Sequence, residues 1–131
     1  MLFRSLLKDF AIKTDSQLKG NPLDWSKTYV MQLITNIMAG QGFILIDDEQ
    51  TGILIAFKNH CFWNDKSIQL QEVMLHGLNK FVIARLIKEY IKIAQQLLIN
   101  KEINQATMSS FDDLKFERYG MKKLEYTWEI K

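Results

Sequence analysis

Apolar residues fall at helical spacing in some stretches of the chain and in alternating or unbroken runs in others. Leu6, Leu7, Phe10 and Ala11 predict a short helix, which Gly20 and Pro22 then break. Val30, Leu33, Ile34, Ile37 and Met38 make one stripe of a second helix, with Asp24 or Ser26 as cap and Gly40 as terminator. "FILI" and "GILIAF" flank the polar "DDEQTG", which predicts a strand, a turn and a strand paired as an antiparallel hairpin. Both strands are apolar throughout, so the sheet is expected to be covered on both faces. "KNHCFWNDKS" reads as a polar and aromatic loop, and "IQLQEVML" as the next strand. The clearest element follows. Ile83, Leu86, Ile87, Tyr90, Ala94, Leu97 and Leu98 line one side of a long helix, and Arg85, Lys88, Glu89, Lys92, Gln95 and Gln96 the other. "INQATM" predicts a short strand. "SSFDDLKFERYG" predicts a short helix with Ser109 or Ser110 as cap, acids in the first turn and Gly120 at the end. The alternation of Leu124, Tyr126, Trp128 and Ile130 predicts a last strand.

Strands interleaved with helices in this order predict a mixed α/β fold: a mostly antiparallel central sheet with helices on both faces. At 131 residues, 47% hydrophobic and with one proline, the chain is expected to form a single domain over 1–131. The net charge is only +2 and the cations are interspersed with acids, which argues against nucleic acid as a partner. Cys61 is the single cysteine and fits a reducing cytosol. "MLFRSLLKDF" is interrupted by Lys8 and Asp9 and does not read as a signal peptide, and no apolar run is long enough to cross a bilayer. His60, Cys61, Asp65 and His76 lack structural zinc spacing, so no metal is expected. Phe62 and Trp63, aromatics in a polar loop, suggest an interaction surface. The long helix's Arg85, Lys88 and Lys92, with Lys101 beyond it, make a mildly basic face that is most simply a solvated one.

The stretch "EVMLHGLNKFVIARLIKEY", followed by "INQATM" and then "KFERYGMKKLEYTWEI", resembles the GNAT acyltransferases over roughly Phe43 to Ile130. These transfer an acyl group from coenzyme A to an amine. "LHGLNKFVIARLIKEY" looks most like the short, divergent GNAT-like proteins encoded beside the internal virion proteins of short-tailed phages.

The resemblance implies roles for particular residues. In the family, the turn before the long helix reads roughly Arg/Gln-x-x-Gly-x-Gly/Ala, and its N–H groups hold the pyrophosphate of acetyl-CoA at the positive end of the helix dipole. The matching positions are Asn79, Val82 and Ala84, with Leu78, Lys80 and Phe81 supplying further contacts; the plainer reading of the same residues is that Gly77 turns the chain and Asn79 caps the helix. Val82 departs from the pattern: a β-branched side chain stands where glycine lets phosphate approach. The backbone of Val73, Met74 and Leu75 would pair with the pantetheine amides. Glu72 is the candidate general base, the plainer reading being a solvent-facing carboxylate on the strand. The family's acid tyrosine is replaced by Phe116, leaving Tyr119, about 300° around an α-helix from Phe116, as the substitute.

Two functions follow from the resemblance. One is a non-catalytic phage protein acting in virion assembly or as a binding module, in the host cytoplasm or on the virion. Its partners would be virion proteins or a second copy of the chain. The other is an N-acetyltransferase using acetyl-CoA. The missing glycine and tyrosine tilt the sequence toward the first.

Overall fold

The computed structural model describes residues 26–109, 115–124 and 130. The predicted helix over Leu6–Ala11, the break at Gly20 and Pro22, the Asp24 and Ser110 caps and the strand positions Tyr126 and Trp128 lie outside them. Helix α1 (Lys27–Asn36) begins at Ser26, whose hydroxyl accepts from the Tyr29 N–H at 3.4 Å. It runs into a wider π-type turn over Ile37–Gln41. Strands β1 (Gly42–Ile46), β2 (Gly52–Cys61) and β3 (Asn64–Gly77) form an antiparallel meander. Helix α2 (Lys80–Ile99) then crosses over to β4 (Gln105–Thr107), which pairs parallel to β3 in the order β1-β2-β3-β4.

The alternation of β2 explains the two faces. Leu54 and Ala56 join Leu70, Val82, Leu86, Tyr90 and Ala94 under α2, while Ile53 and Ile55 join Ile34, Ile37 and Met74 under α1. Each face of the central strand is therefore covered, as its unbroken apolar run predicts. Along α2, Val82, Leu86, Tyr90 and Ala94 recur every four residues and all are buried. The helix stops where Lys101 adopts φ 61° and the Glu102 N–H reaches back to Leu97 O at 2.9 Å.

Two expectations are corrected. "KNHCFWNDKS" is no loop: β2 continues to Cys61, Phe62 and Trp63 make the turn, and β3 starts at Asn64. This end of the hairpin carries polar residues on both faces, so the sequence lacks the one-sided alternation that marks a half-covered strand. The pairing is held by side chains, including Asn59 Nδ2 to Gln71 Oε1 at 2.7 Å, and by His60 Nδ1 against the Asp65 carbonyl at 2.7 Å. The late helix is a single 3₁₀ turn, Phe116–Tyr119, entered through Lys115 at φ 49°. Three residues per turn put Phe116 and Tyr119 on the same side, not 300° apart. Met121–Leu124 have no regular structure, so Leu124 does not begin a strand.

Candidate functional site at the β3–β4 divergence

Pairing between β3 and β4 is short: Gln69 with Gln105, Leu70 with Ala106, Gln71 with Thr107. Past Gln71, β3 has no partner on that side among the described residues. Glu72 is the first residue beyond the last pair. Immediately after it, β3 contains a bulge. Ala56 faces Glu72 but Ile55 faces Met74, so Val73 is an extra residue without a partner on β2. The bulge reverses the phase of the strand. Leu70 lies under α2 and Met74 under α1, an even spacing that regular pleating would keep on one face. Glu72, two residues on from Leu70, turns toward the α2 side, and Val73 is left half exposed.

Glu72 is 7% exposed, and among the described residues its Oε1 has no hydrogen-bond partner. Burial disfavours the charged form and pushes its pKa up to about 7. The Ser109 backbone amide, hydrogen-bonded to the carboxyl group, opposes this only in part. Beside it, the Tyr90 hydroxyl donates to Thr107 O at 2.8 Å, with Leu70 O further off at 3.4 Å. Tyr90 thus ties α2 to the last paired residue of β4 and to the strand that carries Glu72. Burial, and then the Glu72 charge, raise the Tyr90 pKa, so the phenol stays protonated and donating. The sequence marks Tyr90 only as part of the helix's apolar stripe. The available signal was a hydroxyl among aliphatics, which needs a partner when buried.

The opposite end of β3 is built differently. Asn79 caps α2, and its Oδ1 accepts from the N–H groups of Phe81 and Val82 at 3.0 and 3.1 Å. The Leu78 N–H donates to Thr51 O at 2.9 Å and the Ile83 N–H to Asn79 O at 3.2 Å. Val82 is buried and packs against Gly52 and Gly77. A Cβ on Gly52 would collide with it, and one on Gly77 would lie 2.9 Å from Ile83 Cγ1 and 3.1 Å from Val82 Cγ1. These glycines bring the first turn of α2 against the strand ends. Leu78 and Phe81 are exposed, as are Asn79 and Lys80, and Ala84 is half-buried within the helix.

The predicted residues therefore fall in two groups. Glu72, Val73, Met74 and Leu75 sit at or just beyond the divergence of β3 and β4, with Met74 turned into the α1 core. Leu78 to Ala84 form the capped turn and the helix start. Tyr119 is half-buried and makes no side-chain hydrogen bond to another described residue. Among the described residues, no three His, Cys, Asp or Glu side chains come together as a metal site, and no helix is long and apolar enough to cross a membrane. A depression of about 360 Å³, bordered by Gly40, Phe57, Asn59 and His60, contains none of the predicted residues.

No protein-family profile matches the sequence, and no curated protein matches it. Solved structures do. A protein described as a probable acetyltransferase superposes with a TM-score of 0.57 at 14% identity, covering 98% of this chain and 91% of its own. An aminoglycoside acetyltransferase, HMB0005, from an uncultured soil metagenomic sample gives 0.58 at 14% identity, covering 99% and 90%. Glucosamine-6-phosphate N-acetyltransferase from Arabidopsis thaliana gives 0.56 at 10% identity, covering 97% and 92%. The fold is that of the GNAT acetyltransferases: a mixed α/β domain with helices on both faces of its sheet.

Acetyl-CoA, the donor this fold implies, meets two different ends here. The acyl end fits, because the β3 edge beyond Gln71 has no β4 partner and a buried carboxylate stands beside it. The diphosphate end does not, because the N–H groups of Leu78, Phe81, Val82 and Ile83 already have protein acceptors.

Proposed function

We propose that the chain is an N-acyltransferase, with Glu72 as the general base that takes the proton of an amine acceptor. The observation that carries this is the buried Glu72 carboxyl group, with one oxygen unpartnered among the described residues, at the point where β3 and β4 part. A carboxylate with a pKa near 7 is matched to proton abstraction at neutral pH. An acyl thioester supplies the acyl group and a thiolate leaving group of low basicity. The amine nitrogen bonds to the acyl carbon as the carbon–sulfur bond breaks. Glu72 takes the proton lost by nitrogen, and the departing thiolate is protonated by solvent. The backbone of Val73 to Leu75 is suited to pairing with the amides of the donor's pantetheine arm.

The alternative of a non-catalytic protein in phage assembly rests on the sequence resemblance alone, and no feature of the fold favours it. The test is thiol release from acetyl-CoA and from S-acetylpantetheine across a panel of amines. Release that depends on the amine and is abolished in Glu72→Gln supports the reading. Absence of turnover with every acceptor, together with no thermal shift from either donor at millimolar concentration, removes it.

A further inference from the structure

The turn between β3 and α2 has the placement of an anion site but its donors are committed. The Asn79 carboxamide holds the N–H groups of Phe81 and Val82 together, and Thr51 O holds that of Leu78. Asn79 and Lys80 have the remaining N–H groups of the turn. Val82, packed on Gly52 and Gly77, keeps the first helical turn from backing away to make room. The side chains standing free over the turn, Leu78 and Phe81, are 73% and 79% exposed and offer a diphosphate nothing, which leaves Lys80 as the cation. A doubly charged group would have to displace the Asn79 side chain from two hydrogen bonds and settle between two apolar groups. Beyond Gln71 no strand covers β3 on the β4 side among the described residues, and Glu72 waits there with an unpartnered oxygen.

We infer that Asn79 is a specificity-determining residue. By capping α2 it closes the nucleotide end of the donor site, so the protein recognises an acyl-pantetheine thioester through its arm and gains little from the diphosphate. This rests on the N-acyltransferase reading above and goes beyond it in naming the part of the donor that is read.

Calorimetric titration of the full chain with S-acetylpantetheine and with acetyl-CoA separates the two. The wild-type protein should bind them with affinities less than about fivefold apart, below the effect of a single charge-assisted hydrogen bond. Asn79→Gly should bind acetyl-CoA at least about tenfold more tightly while leaving S-acetylpantetheine unchanged, since it frees two N–H donors. Glycine at an N-cap costs the helix only a few tenths of a kcal/mol, so the variant is expected to fold. A merely structural cap would move both ligands alike. A wild-type preference for acetyl-CoA of about fivefold or more would overturn the inference and leave the acyltransferase reading standing. So would an Asn79→Gly variant that gains nothing for acetyl-CoA. Failure of both ligands to bind either protein would overturn both readings.

Discussion

The two ends of the exposed half of β3 solve the same problem in opposite ways. At the Gly77 end, backbone and side-chain groups find partners within the protein. Asp47 accepts from the Thr51 hydroxyl and from the Thr51 and Gly52 amides, Thr51 O accepts from Leu78, and Asn79 caps the helix. At the Glu72 end, a carboxyl oxygen is buried without a partner among the described residues. A satisfied helix start is what folding alone would produce. A buried carboxyl group with an unpaired oxygen works against folding, and such groups cluster where chemistry needs them. The contrast sets a turn whose Leu78, Phe81, Val82 and Ile83 donors are satisfied against a bulge beside which a carboxyl group is buried short of a partner among the described residues.

Glu72→Gln breaks this contrast most directly. Activity should fall by about 10²–10⁴-fold, the usual contribution of a general base, measured as amine-dependent thiol release. Stability should move the other way. The folded pKa, about 7, lies above the ordinary 4.5, so Glu72 binds a proton more tightly in the folded state. Its stabilising contribution is full below pH 4.5, fades as the pH rises, and is gone above about 7. The amide cannot ionise, so at pH 8 the variant should be the more stable by on the order of 3 kcal/mol. At pH 4 the two proteins should melt alike. In the wild type, kcat/KM should rise with pH through about 7 as the carboxyl group loses its proton. A flat profile, or a variant that melts lower at pH 8, would place Glu72 among ordinary structural groups.

Val82→Gly tests the other end. The family resemblance puts Val82 where a phosphate would press, and opening that position would then strengthen donor binding. The structure puts its side chain in the core under α2, 4% exposed. Removing it leaves a cavity and a glycine in the first turn, a loss of about 3 kcal/mol in thermal or urea denaturation. Unchanged stability with tighter acetyl-CoA binding would return Val82 to the donor site.

These two residues also mark how far the sequence could be read. β2 and α2 were legible because unbroken apolar residues and a stripe of every third and fourth position are direct consequences of two-sided and one-sided burial. The candidate base lies on a legible strand, where the family resemblance points to Glu72, but its burial was not legible. Nor was the bulge at Val73, since in a run of apolar residues the two faces of a strand look alike and a reversal of phase leaves no trace. Nor was the direction of Val82: β-branching argues against a phosphate contact but does not say that the residue faces inward. The hairpin tip at Phe62 and Trp63, 90% and 84% exposed, has no core to impose a pattern, so its sequence resembles a loop. The 3₁₀ turn at Phe116–Tyr119 has the glycine terminator of an α-helix and too few residues to show a period.

Tyr90→Phe sharpens the Glu72 end. It removes the bond to Thr107 O and leaves buried carbonyls short of a donor, which should cost about 1–3 kcal/mol. Because the hydroxyl braces the divergence of β3 and β4, the pH midpoint of activity should also move, which loss of packing alone would not do.

Asp47→Asn has the smallest effect and completes the comparison between the two carboxyl groups. Burial tends to raise the Asp47 pKa, but hydrogen bonds from the Thr51 hydroxyl and the Gly52 and Thr51 amides outweigh it, and the net shift is downward. Its contribution is therefore present above the ordinary value of 3.8 and is lost as the pH falls through the lower folded value. That is the reverse of Glu72. Asparagine keeps one acceptor oxygen but loses the charge, so the variant should be about 1 kcal/mol less stable at pH 7 and should approach the wild type in acid. Denaturation at pH 7 and pH 3 measures both. A variant equally impaired at the two pH values would mean that the turn depends on the shape of the side chain rather than its charge, and the two ends of β3 would then differ in packing more than in electrostatics.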